Sequence, residues 1–272
     1  MMPQPMPSRP GAAYPAGTIA GALDVLWGRG MRVASAIDIG CADGLFNLIL
    51  YECGFYRGCA ILNVDANEVY RPSLEAIRDA IGAEFRICAV TETPGAVALT
   101  QGVHPYWGSL RPPEDRYWTT VNQLSAAPVT VPGRTLDDLV DELKLPPPFI
   151  LKIDIQGGEL GALRGAPRAL AQTDVVVVET MAEDFDALYR HLSDAGFLLF
   201  DITYVSRRMD QSLGWFYPIY LHRRRADLID LRVWGKDDDA GNIQAQHDRR
   251  AGMLKEIPAA IERLRAAGAL RR

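Results

Sequence analysis

The sequence lacks the features that mark membrane, disulfide-bonded and nucleic-acid-binding proteins. No segment of its 272 residues approaches the run of about 18 apolar residues that a membrane span needs. None of the four cysteines lies in a Cys-x-x-Cys pair, and no secretory signal precedes them, so we expect a reduced, cytoplasmic protein. A formal net charge of −5 argues against nucleic acid as a partner, and short basic clusters at 207–208 and 223–225 do not change that expectation.

Length and composition predict one α/β domain with extensions at both ends. Hydrophobic residues make up 48% of the chain and charged residues 23%, which is ordinary for a soluble globular protein. We expect a poorly ordered arm over 1–15, rich in Pro and Met. A main domain follows over 16–225 with a loop insertion at 101–128. A helical extension over 226–272 would contain an amphipathic helix at 253–266.

One turn stands out, at the end of an apolar run over residues 36–39. The chain there reads Asp38-Ile39-Gly40-Cys41-Ala42-Asp43-Gly44, which is not the Gly-x-Gly-x-x-Gly of a nicotinamide or flavin site. Glycine tolerates a positive φ and lets the backbone approach a ligand, and the next helix offers unpaired N–H groups at the same point. An acid at a strand end suits a ligand with an ammonium group, such as S-adenosylmethionine (SAM).

A second acid, Asp65, ends the next apolar run at 60–64. It lies about 20–25 residues beyond the first glycine, where doubly wound folds place the carboxylate that binds ribose hydroxyls. The alternative is that Asp65 only caps the short helix near 68–71. Together with the glycine turn, the spacing favours the ribose role.

Apolar runs and helical patterns alternate along the main domain, which predicts a parallel sheet with helices on both faces. The predicted strands are 34–39, 60–64, 84–90, 149–155, 174–178, 197–202 and 214–221, with short strands at 96–100 and 129–131. The predicted helices are 16–27, 45–53, 73–81, one beginning after an N-cap at Thr135, 160–170 and 185–195.

The alternation breaks at 101–128, a segment rich in proline and aromatic residues. Long irregular segments inside compact domains are usually functional or disordered, and the aromatic residues favour function. We interpret the segment as a lid or substrate-facing insertion. The alternative is a loop packed on its own aromatic side chains.

The most distinctive segment reads Leu151-Lys152-Ile153-Asp154-Ile155-Gln156-Gly157-Gly158-Glu159-Leu160, followed by Leu163-Arg164-Gly165-Ala166. It resembles the signature of the FkbM family of SAM-dependent methyltransferases, which reads approximately Leu-Lys-Ile-Asp-Val-Glu-Gly-x-Glu and then Leu-x-Gly-Ala. Three further pieces stand in matching order, at 37–44, 135–139 and 177–179. The resemblance covers about 35–221.

The resemblance implies a class I methyltransferase fold. This is a Rossmann-like, seven-stranded, mostly parallel sheet whose last strand is antiparallel, with helices on both faces. It also implies SAM as the cofactor, held at the carboxyl ends of the strands. The implied cofactor-binding residues are Asp38, Gly40, Ala42 and Gly44 at the methionine portion, Asp65 at the ribose, Cys88 and Ala89 at the adenine, and in addition Cys41, Asp43, Ala66 and Asp154. The alternative for Cys88 is a buried small apolar residue.

The chain departs from the family pattern at four positions. Gln156 stands where the family usually has Glu. The difference removes a charge beside Asp154 and leaves in doubt any catalytic role of the usual Glu at this position. Cys41 and Asp43 replace the usual Ala and Asn of the glycine turn. Asp65 replaces the Glu of a Glu-Pro-Asp motif and still supplies a carboxylate.

Asp154 is the first candidate for catalysis because it ends the fourth strand at the same edge of the sheet. Lys152 lies two positions earlier and on the same side of the strand, so the two residues form a structural ion pair or set the pKa of the carboxyl group. His104, in the aromatic loop, is a second candidate for a base. Glu159 is interpreted as a helix cap or a site residue, and Glu179 ends the fifth strand. No set of residues has convincing metal-ligand spacing, so no metal is expected; the alternative is a divalent ion bound by Asp154 and Glu179.

The family acts largely on hydroxyl groups, so we expect O-methylation of a sugar, a glycan or a secondary metabolite. Transfer to nitrogen or to a carboxylate would use the same cofactor site. A SAM-binding protein without catalytic activity is the third alternative, left open by Gln156. The partner is a small-molecule or glycan acceptor, and a homo-oligomer is compatible with the sequence.

Overall fold

The computed structural model describes residues 14–52, 58–102, 104–111 and 128–229, and single positions at 248, 258, 259, 263 and 266. The chain divides into two compact units, Met1–Leu228 and Ile229–Arg272. The expected N-terminal arm and the helix expected at 253–266 lie almost wholly outside the described residues. Within the described part, no helix combines the length and the hydropathy needed to cross a bilayer.

The first unit contains helices and strands in alternation. The helices are α1 Ile19–Gly28, α2 Leu45–Glu52, α3 Arg71–Ile81, α4 Leu136–Leu143, α5 Glu159–Arg164, α6 Pro167–Ala171 and α7 Phe185–Asp194, and 3₁₀ helices cover Glu68–Tyr70, Pro105–Trp107 and Arg223–Leu228. The strands are β1 Ser35–Ile39, β2 Ala60–Asp65, β3 Glu84–Ile87, β4 Ala89–Val90, β5 Gly95–Leu99, β6 Val129–Arg134, β7 Phe149–Ile153, β8 Thr173–Val178, β9 Thr180–Met181, β10 Phe197–Thr203 and β11 Trp215–His222.

The central sheet has the strand order β10-β11-β8-β7-β1-β2-β3. Neighbouring strands from β3 to β8 pair in parallel, and β11 runs antiparallel to both β8 and β10. Every residue of β1, β7 and β8 is buried, as expected for parallel strands covered on both faces. The predicted α/β architecture and its antiparallel last strand are therefore confirmed. The predicted count of seven is one short, because β9 also pairs with β11.

The predicted third strand at 84–90 is in fact two strands in two sheets. β3 pairs with β2, whereas β4 pairs with β6 in a three-stranded sheet of order β4-β6-β5. The chain changes partner at Cys88, whose N–H donates to Asp65 O (2.9 Å), while Thr91 N donates to Arg134 O (2.8 Å). The predicted short strand at 96–100 is confirmed as β5, antiparallel to β6.

The predicted single helix at 160–170 is wrong. The first helix ends at Gly165 and a second begins with Pro167 at its first position. Proline lacks an N–H and clashes with the preceding turn inside a helix, but it is favourable at a helix start. Gly165 cannot be replaced without a shift, since a Cβ there would lie 2.3 Å from Thr91 O.

Candidate functional site

Four strands of the central sheet end in register. Ile39 pairs with both Val64 and Ile153, and Ile153 pairs with Val178. The residues that follow these positions therefore form one row along the sheet edge, listed here in spatial order: Asp65, Gly40, Asp154 and Glu179. The predicted strand 149–155 ends two residues earlier, so Asp154 lies just beyond β7 rather than inside it. In this row the glycine turn at Gly40 lies between the carboxylates of Asp65 and Asp154.

The glycine turn after β1 is packed directly against the end of β7. Gly40 has φ +71°, and a Cβ on it would lie 1.8 Å from Asp154 O. Asp154 N donates to Ile39 O (2.9 Å) and Gly40 N donates to Val64 O (2.8 Å). Only glycine fits this position, because both the backbone angle and the close approach exclude a side chain.

Asp65 holds the same turn from the other side. Its Oδ2 accepts from Ala42 N (2.9 Å) and its Oδ1 accepts from Asn67 N (2.8 Å). Burial raises the pKa of the Asp65 carboxyl group, and these two backbone donors oppose the shift. Each carboxylate oxygen can accept a further hydrogen bond, so Asp65 keeps acceptor capacity toward a ligand.

A cavity of about 350 Å³ opens beside Asp65, and we call it the strand-end cavity. Its volume lies within the range of small-molecule sites. Its walls are Ile39, Gly40, Ala42, Val64, Asp65, Ala66, Asn67, Tyr70, Cys88, Ala89, Val90, Leu99, Tyr106, Trp107, Gly108, Leu110, Asp154, Ile155, Gln156, Glu179, Trp215 and Tyr217. The Tyr70 hydroxyl group is buried, and among the residues that the structure describes it has no hydrogen-bond partner. A carboxylate, an orphaned hydroxyl group and small apolar walls fit a nucleoside, whose ribose and base need polar and apolar contacts respectively.

Lys152 and Asp38 form a buried ion pair beneath the glycine turn. Lys152 Nζ lies 3.1 Å from Asp38 Oδ1 and 3.6 Å from Asp154 Oδ2, and it donates to Gly40 O (2.8 Å). Burial alone would lower the pKa of Lys152, but the two carboxylates outweigh it and raise that pKa. Lys152 is therefore a cation that fixes the turn and faces two acids.

Asp154 and Glu179 meet at the floor of the strand-end cavity and share donors. Tyr217 Oη donates to Asp154 Oδ2 (2.7 Å), and Gln156 Nε2 donates to Asp154 Oδ1 (3.1 Å) and to Glu179 Oε2 (2.6 Å). Burial would raise the pKa of Asp154, but Lys152 and the hydrogen bonds hold it below its usual value. Burial and the Asp154 charge raise the pKa of Glu179 well above normal. The surroundings thus favour the anionic form of Asp154 and the protonated form of Glu179.

Glu159 organises the turn between β7 and α5. Its carboxyl oxygens accept from Ile155 N (3.0 Å) and from Gly157 N (2.9 and 3.0 Å). Burial raises the pKa of Glu159 to about 7, although the backbone donors oppose the shift. The side chain acts as a cap for the turn that carries Gln156, which itself has φ +56°.

The loop that carries the 3₁₀ helix Pro105–Trp107 covers the strand-end cavity. Tyr106 Oη donates to Asp43 Oδ2 (2.9 Å), and the Tyr106 ring stacks on Tyr70 with centroids 5.8 Å apart. Ser109 Oγ donates to Gln156 O (2.7 Å), and Arg111 Nη2 donates to Asp184 Oδ2 (2.5 Å). The described part of the predicted insertion is therefore attached to both sides of the cavity.

A second cavity of about 610 Å³ lies on the other side of the glycine turn, and we call it the α2 cavity. Its walls are Ile19, Gly40, Cys41, Ala42, Asp43, Gly44, Leu45, Phe46, Ile49, Tyr106, Lys152, Asp154, Tyr204, Trp215 and Tyr217. Six residues line both cavities: Gly40, Ala42, Tyr106, Asp154, Trp215 and Tyr217. Asp154 thus faces both spaces.

The structure brings most of the expected site residues to these two cavities. Asp65, Ala66, Cys88 and Ala89 line the strand-end cavity, Cys41, Asp43 and Gly44 line the α2 cavity, and Gly40, Ala42 and Asp154 line both. Asp38 lines neither cavity, because its side chain is buried against Lys152. Asp38 therefore contacts Lys152, which donates to the carbonyl group of Gly40, and its role toward the cofactor stays a prediction.

His104 also lines neither cavity. It is exposed, its Nδ1 accepts from Tyr106 N (3.5 Å), and its ring stacks on Tyr106 with centroids 4.7 Å apart. These contacts attach His104 to its own loop, and its role as a base stays a prediction. Within the described residues, no group of three or more His, Cys, Asp and Glu side chains is arranged to hold a metal ion.

Sequence reasoning missed Tyr217 and Tyr106 as residues of the site. Tyr217 lies on the antiparallel strand β11, 63 residues from its partner Asp154. The only sequence signal for Tyr217 is its place in a strand rich in aromatic residues near the end of the domain. Tyr106 belongs to the aromatic-rich segment 101–128. Its partner Asp43 is also 63 residues away along the chain, so sequence spacing does not identify the contact.

Comparison with known proteins gives one family match. The model of the "Methyltransferase FkbM domain" matches residues 38–199, which is more than half of the chain and includes the strand-end row and the Thr135–Ala166 motifs. No curated protein of described function matches the chain.

Solved structures with a similar fold are remote. A methyltransferase FkbM from Methylobacillus flagellatus KT is 17% identical with a TM-score of 0.43, and the match covers 68% of this chain but 43% of that one. A precorrin-6y C5,15-methyltransferase from Geobacter metallireducens GS-15 is 12% identical with a TM-score of 0.40, covering 74% and 85% of the two chains. An rRNA methylase from Streptococcus thermophilus is 10% identical with a TM-score of 0.38, covering 74% and 93%.

Proposed function

The chain belongs to the family of FkbM methyltransferase domains, and from this premise we propose that it transfers a methyl group from SAM to a hydroxyl group of a small-molecule or glycan acceptor. The acceptors we propose are a sugar, a glycan or a secondary metabolite. The observation that carries the proposal is the row of aligned strand ends, which presents Asp65 and Asp154 to one cavity on either side of the Gly40 turn.

The residues around the strand-end cavity fit SAM. Asp65 would accept hydrogen bonds from the ribose hydroxyl groups, as the carboxylate after the second strand does in doubly wound folds. The small apolar residues Cys88 and Ala89 would border the adenine, and the orphaned Tyr70 hydroxyl group offers a further polar partner. When bound, SAM supplies an activated methyl group on a sulfonium.

Asp154 would orient the acceptor and take its proton. Lys152 and Tyr217 keep the carboxylate anionic and fix its direction. Oδ1 accepts from the Gln156 amide, and a carboxylate oxygen has a second lone pair that would accept from a bound hydroxyl group. A hydroxyl group bound there would donate to Oδ1 and pass its proton to it. Such general-base assistance typically contributes 10² to 10⁴ in rate.

Two neighbours of Asp154 support this role. Gln156 contributes an uncharged amide where the family usually has Glu, and burial together with the Asp154 charge raises the pKa of Glu179 well above its ordinary value. Both features reduce like-charge repulsion around the proposed base.

The test combines binding and turnover. Calorimetry with SAM and S-adenosylhomocysteine should show stoichiometric binding, and methyl-labelled SAM should then label hydroxylated acceptors. NMR of the product separates oxygen from nitrogen or carboxylate methylation. Binding of both nucleosides without turnover on any acceptor would favour a non-catalytic SAM-binding protein. Failure of both nucleosides to bind would refute the proposal.

A further inference from the structure

We propose that the α2 cavity is the acceptor site, and that it selects uncharged acceptors with an apolar ring or chain next to the reacting hydroxyl group. The inference rests on the proposed function, since it concerns the acceptor of that reaction. Three features of the cavity carry it: apolar walls, an aromatic wall and the balance of charge.

The apolar wall comes from α1 and from the first turns of α2. Leu45, the first residue of α2, has 65% of its surface exposed, and Phe46 and Ile49 follow it along the same cavity. Ile19 contributes from α1. A leucine exposed at the mouth of a cavity favours an apolar ligand, because covering it removes apolar surface from water.

The aromatic wall comes from β11, which carries Trp215 and Tyr217, and from Tyr204 in the loop between β10 and β11. Tyr204 and Trp215 each stand nearly perpendicular to Tyr217, with ring centroids 6.1 and 6.0 Å away. Trp215 is 39% exposed and Tyr204 is 44% exposed. Edge-to-face aromatic groups of this kind offer flat faces to a ring or a sugar, and Tyr and Trp lose little conformational entropy on binding.

The charges around the α2 cavity disfavour anions. Asp43 and Asp154 both line it. Among its lining residues, all of which the structure describes, Lys152 is the single cation, and its Nζ is already engaged by Asp38, Asp154 and Gly40 O. An anionic acceptor would face two carboxylates without a cation to pair with, so phosphorylated or carboxylated acceptors would be rejected.

The position of the cavity suits the acceptor. Asp154, the proposed base, lines both cavities, so a ligand in the α2 cavity abuts the strand-end cavity at that carboxylate. Tyr106 also lines both, and its hydroxyl group donates to Asp43 at the boundary. A cofactor in one cavity and an acceptor in the other would meet at Asp154.

A pair of fluorescent probes with one scaffold tests the selection. N-phenyl-1-naphthylamine is uncharged, and 8-anilinonaphthalene-1-sulfonate adds a sulfonate to the same ring system. Titration into the full chain saturated with S-adenosylhomocysteine should show about tenfold or greater preference for the uncharged probe. The variants Trp215→Ala and Leu45→Asp should each weaken binding of the uncharged probe by about fivefold or more.

Matched controls lie outside both cavities. Met209→Ala removes a fully exposed apolar side chain from the same β10–β11 loop, and Val25→Asp introduces a carboxylate at an exposed apolar position of α1. Neither control should change the affinity of the probe. Equal affinity for the two probes, or equal loss in the controls, would overturn the inference.

Calorimetry with S-adenosylhomocysteine separates this inference from the proposed function. Normal nucleoside binding with no selection between the probes overturns the acceptor class alone. Absence of nucleoside binding to the wild-type chain overturns both.

Discussion

Two pairs of buried carboxylates in this protein have opposite surroundings. Asp137 and Asp174 line neither cavity, and donors from other elements hold both side chains. Asp137 accepts from the N–H groups of Arg168 (3.1 Å) and Ala169 (2.8 Å) at the start of α6. Asp174 accepts from Arg224 Nε (2.6 Å) and Arg225 Nη1 (3.0 Å), which attach the last 3₁₀ helix to β8.

The second pair, Asp154 and Glu179, lines the strand-end cavity, and the two carboxyl groups share a hydrogen-bond donor. One amide, that of Gln156, serves both carboxyl groups, and the pKa values of the two groups move apart. Titratable neighbours with separated pKa values are the arrangement that acid–base chemistry uses. The comparison indicates that access to a cavity, rather than burial, distinguishes carboxylates available for chemistry from carboxylates that stabilise the fold.

The largest predicted effect is the loss of activity when Asp154, one of the two cavity-lining carboxylates, is replaced. Asp154→Asn should lower kcat by about 10² to 10⁴, because the amide cannot take the proton of the acceptor. Initial rates with methyl-labelled SAM would measure this. Asp137→Asn is the matched control, and it should reduce stability by about 1–3 kcal/mol through a lost backbone cap with little change in kcat. Retention of more than a tenth of the activity in Asp154→Asn would contradict the comparison.

Glu159 sharpens the comparison because it has backbone donors like Asp137 but lies beside the cavity pair. Its pKa in the folded state, about 7, is above the ordinary value of 4.5, so its contribution favours folding at low pH and is lost as pH rises through 7. The stability of wild type relative to Glu159→Gln should fall by up to about 3 kcal/mol between pH 5 and pH 8. Urea unfolding at several pH values checks this, and a pH-independent difference would contradict it.

Asp174→Ala tests the structural role of the pair that lines neither cavity, Asp137 and Asp174. The substitution leaves two guanidinium groups without their buried partner, and we expect a loss of about 2–3 kcal/mol in the free energy of unfolding. The loss should lie at the low end for buried pairs, because the Arg224 and Arg225 side chains are 35% and 23% exposed and can turn to water. Calorimetric affinity for S-adenosylhomocysteine should not change. A large loss of affinity would assign Asp174 to the site instead.

The smallest effect concerns the loop over the strand-end cavity. Tyr106→Phe removes the exposed hydrogen bond to Asp43 and keeps the ring stacked on Tyr70. Release of S-adenosylhomocysteine should become about threefold faster, as expected for one solvent-exposed hydrogen bond. Stopped-flow displacement measures the rate. An unchanged rate would show that the loop does not hold the cofactor.

The sequence predicted the sheet because its signals are local. Apolar runs that end in an acid or a glycine mark β1, β2, β7 and β8, and their parallel pairing brings those ends to one edge. Gly165 and Pro167 are also a local signal for a helix break. The apolar pattern continues on both sides of them, however, and it predicts a single helix over 160–170. Residues 135–139 match the family pattern, but the pattern alone does not show that the Asp137 carboxylate caps α6.

Pairings across the sheet could not be predicted. Lys152 was placed beside Asp154 by strand alternation, whereas its shorter contact is with Asp38, which only the β1–β7 register brings opposite. The split between β3 and β4 depends on a hydrogen bond from Cys88 to Asp65, which no propensity encodes. Partners separated by many residues along the chain are fixed by tertiary packing, and one sequence does not reveal them.

A crystal structure of the complex with S-adenosylhomocysteine tests the central claim most directly. We predict the ribose hydroxyl groups within hydrogen-bonding distance of the Asp65 carboxylate and the thioether sulfur on the side of Asp154. A nucleoside bound away from the strand-end cavity would contradict the account.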